Sequence, residues 1–574
     1  MEYKPETKNC QNCKIDFIIE SEDFLFYEKI NVPAPTFCPD CRMQRRLCWR
    51  NEHNLHFATC QITNKKVITI YSPDKKIPIY NREYWWSDKW DQNNSGIEYD
   101  FSVSFFEQFK ELMKIAPRPN LLQTNTSNGE YTNYILDSKN VYMVFSAVND
   151  ENTMYSIGSV VNTRDSVDIH LSSRIENSYW VVQCVQSSGL QFAWHCDSCF
   201  DCIFLIDCHS CSNCFCCIGL RNKSYCVFNQ QYTKEEYKKI ISEYNLGSYS
   251  SLQIIKEKFK EFTLKFPFRY ARIFKSLDCT GDDIQNAKNC KKCFYLKNNV
   301  ENCKYSYRLF DNIKDGMDLS LVWNNMEIEY ECLSVTTGRE VFFSSLCWNV
   351  QNVWYSDNCF NSRNLFGCIG LKNAQYCILN KQYTKDEYNE LIPKIIEQMK
   401  NISYTDKKGR EYRFGEFFPI ELSPFSYNES LSQQYFTLSK DEILNNGFFY
   451  SSPEKRNYSI TLTAEQIPDD IKNVNESIIN ETIECGHKSQ CDDNCQTAFR
   501  IVTDELSFYK KHNLPLPRLC LNCRHQARVK ERNPIKLWHR SCMKEGCTNT
   551  FETSYSPERP LIVYCEKCYQ TEVI

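Results

Sequence analysis

The sequence predicts a mainly β chain with helical insertions, in which two β-solenoid, β-helix-like blocks are flanked by small duplicated cysteine modules. Three observations carry this. Adding 482 to positions from Cys13 to Cys60 lands on a counterpart without a gap: Cys13 on Cys495, Cys38 on Cys520, Cys41 on Cys523, Cys60 on Cys542, and Phe26-Tyr27 on Phe508-Tyr509. Between these modules, CIGLRNKSYCVFNQQYTKEEY from Cys217 recurs as CIGLKNAQYCILNKQYTKDEY from Cys368. A shorter period of about twelve residues aligns Cys184, Cys196 and Cys208, then Cys199 and Cys211, then Cys202, Cys214 and Cys226, which is the mark of a solenoid.

Composition bounds the rest. A chain of 574 residues with 42% hydrophobic content buries several cores. The stretch Met1 to Lys14 is polar and no run of about eighteen apolar residues occurs, so neither a signal peptide nor a membrane span is read and the expected compartment is the cytoplasm. In that reducing setting the 34 cysteines are expected as metal ligands or buried thiols rather than disulfides. A net charge of -4 excludes a chain that binds nucleic acid through its overall charge, so any such surface is local.

The order along the chain is then as follows. Residues 1–90 form the N-terminal module with a degenerate second ribbon, 91–117 a helical linker, and 118–230 the first solenoid block. Residues 231–278 form a helical insert, 279–380 the second block, 381–402 a helix, 403–484 a connector, and 485–574 a C-terminal pair of modules.

In the first module, Cys10-x2-Cys13 and Cys38-x2-Cys41 supply two thiolate pairs, the pattern that closes a tetrahedron around zinc and leaves no open catalytic position. The C-terminal copy uses Cys520 and Cys523 with Cys495 and Cys491, where Cys485 and His487 compete for the first ligand position. Cys542-x4-Cys547 with Cys565-x2-Cys568 makes a further quartet. At its N-terminal counterpart Cys60 survives, but Thr63, Asn81 and Tyr84 stand where the other thiolates belong, so about three zinc ions per chain are predicted. Cys48, His53, His56 and Cys60 offer a substitute set, though free thiols and surface histidines are the commoner reading.

Tyr84, Trp85, Trp86 and Trp90 could stack bases or sugars, but they stand where a module docks on a solenoid end. Ser104 with Glu107 starts a helix that Pro117 ends, placed to cap the first solenoid. Strand-rich segments such as YWVVQC and CIFLIDC, separated by asparagine turns, build the blocks. The room needed by their aromatic side chains argues for two units, roughly 24 residues, per coil. Neighbouring coils lie about 4.8 Å apart, whereas sulfurs sharing a zinc lie about 3.8 Å apart, so the cysteine columns are read as packing. Thr233 with Glu236 and Thr384 with Glu387 have capping-box spacing and begin a helix after each block. A short helix follows Ser439 in the connector and stops at Gly447.

Arg42, Arg46 and Arg50, and again Arg524, Arg528 and Arg532, share one face if the segment after each second knuckle is helical. Such a stripe suits phosphates, which makes structured RNA or a ribonucleoprotein the expected partner, and otherwise a protein. The functional expectation is a noncatalytic, zinc-binding adaptor with no catalytic residue assigned. Two alternatives compete. One is a carbohydrate-active β-helix using Asp197, Asp201, Asp207, His195 and His209, which also suit turn positions; the other is a thiol-rich metal reservoir.

The C-x2-C, phenylalanine, FY, P-x2-C-x2-C-R pattern resembles the zinc-ribbon modules, treble-clef-like, of bacterial proteins. With the Y-S-P-[DE] segments and the Q-Y-T-K-[ED]-E-Y repeats, nearly the whole chain resembles an uncharacterised cysteine-rich family of candidate-phylum bacteria. The resemblance implies zinc and no known reaction. Some relatives carry a CoA-transferase label, which the lack of βαβ alternation here does not support.

Overall fold

Along both repeat blocks a residue in the left-handed backbone region recurs at every third position, as at Asn140, Met143, Ser146, Asn149 and Asn152. The computed structural model describes residues 3–333, 339–342, 345–452 and 458–573. Each left-handed residue turns a corner and four corners close a coil, so bonds join residues 12 apart, such as Asn140 Nδ2 to Asn152 Oδ1. Asparagine and aspartate tolerate this region and stack from coil to coil, giving ladders such as Asn128–Asn140–Asn152–Asp165. Coils of 13 residues insert a second left-handed residue, as at Asn298-Asn299 and Asp311-Asn312, which also stack.

One unit of the period therefore makes one coil, and the expected two units per coil do not form. The aromatic side chains find their room outside the coil. Tyr155, Trp180, Phe192 and Phe204 occupy corners and pack outward against docked elements, while a separate inner cluster of aliphatic residues and cysteines fills the lumen.

Every third residue points inward, and Cys196, Cys199, Cys202, Leu205, Cys208, Cys211, Cys214 and Cys217 are all buried there. Cysteine and serine do the same work. Ser172 Oγ donates to the His170 carbonyl at 2.9 Å and accepts from Cys184 N–H at 3.1 Å. One coil on, Cys184 Sγ donates to the Val182 carbonyl at 3.4 Å and accepts from Cys196 N–H at 3.2 Å. A small side chain with one donor and one acceptor thus satisfies backbone groups that the tight corners leave unpaired.

The first parallel sheet runs from Gln123–Thr124 to Gln230–Gln231 and the second from Ile273–Phe274 to Lys381–Gln382, each 12-stranded among the described residues and each ending in an antiparallel hairpin. The capping boxes at Thr233 and Thr384 then start helices Lys234–Ser242 and Lys385–Asn401. Tyr237 and Tyr388 on these helices close the last coils edge-on against Tyr225 and Tyr376. Ser439 likewise caps the short connector helix Lys440–Asn445.

The helix Phe105–Ile115 forms as expected but packs on the second solenoid, not the first: Phe105 lies 5.2 Å from both Tyr355 and Phe366. The two solenoids lie side by side, joined by Tyr295 Oη to the Leu171 carbonyl at 2.5 Å and Gln183 to Asp283 at 2.6 Å. The modules dock crosswise on this pair, the N-terminal one on the second solenoid and the C-terminal one on the first. Among the described residues no helix is long and apolar enough to cross a membrane.

Candidate metal centres and the docking arginines

In the N-terminal module a hairpin of Glu6–Asn9 and Asp16–Ile19 delivers Cys10 at the end of its first strand, and the helix Pro39–Leu47 begins at Cys38. The sulfurs of Cys10, Cys13, Cys38 and Cys41 all lie within 4.8 Å of one another. Cys13 and Cys38 are 3.7 Å apart, close to the roughly 3.8 Å edge of a tetrahedral thiolate site. Cys38 N–H donates to Cys10 Sγ at 3.2 Å and the Asn12 amide to Cys41 Sγ at 3.2 Å. Hydrogen bonds from the Cys38 and Cys41 thiols hold the Cys10 thiol far below its usual range, the behaviour of a group poised to be a thiolate.

The C-terminal copy closes with Cys485, Cys495, Cys520 and Cys523. Cys491, expected as the first ligand, stands outside this quartet. The reason is strand register: Ile483–Glu484 pairs antiparallel with Ala498–Phe499, so Cys485 follows the first strand as Cys10 does, and Cys520 N–H donates to Cys485 Sγ at 3.3 Å. Cys491 lies 3.7 Å from Cys523 on its outer side, in a second group with His487 and Asp493.

Cys542, Cys547, Cys565 and Cys568 form the third quartet. Against the burial that raises it, the Asn549 amide and the Cys568 N–H draw the Cys565 thiol down to about 6. At the degenerate counterpart the backbone persists without the thiolates: Asn81 N–H donates to Cys60 Sγ at 3.2 Å, just as Cys565 N–H donates to Cys542 Sγ at 3.3 Å. The substitute set is not assembled. Cys48 bonds Ser432, His53 meets His525 edge-on, and His56 meets Glu429 at 3.0 Å.

Both arginine stripes lie on helices, Pro39–Leu47 and Leu521–Lys530 with their C-terminal flanks, and both face inward. Arg42, Arg46, Arg50, Arg524, Arg528 and Arg532 are each at most 7% exposed, which overturns their assignment as nucleic-acid contacts. Arg42 and Arg46 reach Asp318 at 2.9 and 3.2 Å, and Arg524 and Arg528 reach Asp168 at 3.2 and 2.6 Å. Arg50 pairs with Glu52 at 3.1 Å and Arg532 bonds Tyr435 and His170.

The two docks are the same dock. Arg524 stacks over Tyr155, whose hydroxyl bonds Glu505, and Arg42 stacks over Tyr305, whose hydroxyl bonds Asp23. The acids Asp168, Asp318 and Glu331, and Arg45, which Glu331 binds through both oxygens at 2.9 Å, were not singled out from sequence. A signal existed: Asp168 and Asp318 sit in VDIHL and MDLSL at a constant offset of 150, as Tyr155 and Tyr305 do, in step with the arginines.

The aromatic cluster docks as expected: Trp85 is fully buried, donates from Nε1 to the Pro117 carbonyl, and with Trp86 packs on Phe360 of the second solenoid. The residues of the carbohydrate reading are spread over the coil, and Asp197 and His209 pair as a parallel bridge. His195, Asp201 and Asp207 occupy corners, and Asp207 is engaged by Arg221 at 3.0 Å and by the Tyr569 hydroxyl at 2.9 Å. Against the reservoir reading, the groups of described residues able to hold an ion include no lumen cysteine, and those thiols are committed to the backbone. All 34 cysteines are free. Compared with known proteins, the chain matches no family model and no curated sequence.

Proposed function

We propose that the protein is a noncatalytic scaffold in which zinc-bound ribbons clamp two solenoids into one rigid body. One observation carries the reading: the helices that supply Cys38 with Cys41 and Cys520 with Cys523 also supply the arginines that grip Asp318 and Asp168. The metal centre fixes the start of each helix, and the helix fixes the far solenoid. Zinc suits four-thiolate tetrahedra, and a closed quartet contributes folding energy rather than reactivity. The free thiols suit a reducing compartment such as the cytoplasm.

With the arginines turned inward, the partner is read as a protein rather than RNA. The exposed asparagine ladders present a flat, ordered surface along the coils. Elemental analysis and chelation test the scaffold. Zinc is expected, and stripping it should release both modules and open the solenoid faces to protease. Iron in its place, or stripping that leaves the modules docked, refutes the reading, and a steep salt-dependent affinity for RNA restores the nucleic-acid partner.

A further inference from the structure

The first knuckle is short in one module and long in the other. Cys10 and Cys13 are separated by two residues, whereas Cys485 and Cys495 are separated by nine. The added residues are not inert filler, because they bring His487, Cys491 and Asp493 to the outer side of Cys523. Their ligand atoms and Cys523 Sγ all lie within 4.8 Å of one another.

The N-terminal copy shows what that side of the sulfur otherwise does. There the Asn12 amide donates to Cys41 Sγ at 3.2 Å. Its counterpart Asn494 is turned away and donates to the Asn428 carbonyl instead. Cys491 Sγ takes the vacated side at 3.7 Å from Cys523 Sγ, near the roughly 3.8 Å edge of a shared tetrahedron. His487 Nδ1 is shielded from solvent without a hydrogen-bond partner, 4.0 Å from Asp493 Oδ2. Asp493 Oδ1 accepts from Lys530 Nζ at 2.8 Å, a contact that orients the carboxylate and leaves Oδ2 free.

Resting on the zinc reading above, we propose that Cys523 bridges two metal ions, the second held by Cys491, His487 and Asp493. Mixed sulfur, nitrogen and oxygen donors suit a zinc-like divalent ion. Five thiolates and one carboxylate against two dications leave a small negative charge beside Lys530. This ion differs from the others in its donors, and its ligand Cys491, like Cys495 of the neighbouring site, lines a cavity of about 860 Å³ that also receives His56, Tyr450 and Arg500. With a mixed donor set at a cavity wall, it is the exchangeable ion of the protein.

Zinc counted per chain by native mass spectrometry, on the full-length protein in chelator-free buffer, tests this. Four ions are expected. The double variant His487→Ala with Cys491→Ser should retain three and keep the wild-type melting temperature of the solenoids. In a chelator titration of wild type, one equivalent should leave first, and that early phase should vanish in the variant. Three ions in wild type, or a variant that loses none or more than one, overturns the second site. Absence of all zinc instead sinks the underlying zinc reading, so the two failures are distinct.

Discussion

Arg528 stands 2.6 Å from Asp168, and the same pair recurs as Arg46 and Asp318 at 3.2 Å. All four side chains are withdrawn from water. Such pairs contribute little net stability over an apolar contact, yet removing one partner leaves a charge stranded. Asp168→Ala strands Arg528, while Arg524 keeps Glu505 at 3.5 Å, and should cost about 3–5 kcal/mol in urea denaturation with metal content unchanged. Equal stability to wild type would show the dock to be incidental.

The clamp is modular. Cys38→Ser should lose one metal ion and free the N-terminal module from the second solenoid, because a structural ion supplies folding energy locally while coils draw stability from their neighbours. Limited proteolysis should cut first before about residue 50, with the β signal in circular dichroism retained. Loss of that signal would mean the solenoids depend on this centre.

Lumen cysteines are structural, and the chemistry of substitution separates this from metal storage. Cys184→Ser keeps both the donor to Val182 and the acceptor for Cys196 N–H, as Ser172 does one coil earlier, and should be tolerated within about 1 kcal/mol. Cys184→Val strands the Cys196 N–H and should cost about 1–3 kcal/mol. Bound metal should be equal in both; a fall in the serine variant would revive the reservoir.

Acid should loosen the centre of the molecule. His525 lies 5.0 Å from His53 and 5.1 Å from His170, and Arg308, Arg528, Arg532 and Glu52 surround the three rings. Burial lowers all three, His53 to about 4, with the arginines adding to the shift. The unfolded chain takes up these protons near about 6.5 while the folded one refuses them, so stability is full above that pH and is lost as pH falls toward about 4. For His53 alone the loss amounts to about 3 kcal/mol. His525→Phe should flatten the dependence of the urea midpoint on pH by about one proton, and an unchanged slope would place the titration elsewhere. Metal release in acid affects both proteins and cancels in the comparison.

Much of this was legible before any coordinates. The doubled modules, the two blocks, the capping boxes at Thr233, Thr384 and Ser439, and the lost ligands around Cys60 follow from spacing and residue chemistry. Coil size is not legible from composition, because aromatic side chains read as coil filling sit instead at left-handed corners such as Trp180 and project outward. The arginines misled for a different reason. A stripe of guanidinium groups has the same spacing whether it meets phosphate or a buried aspartate, and its partner lay hundreds of residues away. Choosing Cys485 over Cys491 required the pairing of Glu484 with Ala498, which no local motif specifies.

The crosswise docking also sets an order on synthesis. The N-terminal module leaves the ribosome early, but its seat includes Asp318 and Glu331. At about 5–20 residues per second the wait lasts on the order of tens of seconds, with Arg42, Arg45 and Arg46 exposed in the nascent chain. The first solenoid waits longer still, since Asp168 pairs with Arg524 and Arg528, made more than 350 residues later. Half-made chains therefore carry sticky, uncovered aromatic faces, and a chain interrupted between the two docks is a natural target for chaperones or for exchange of modules between neighbouring nascent copies.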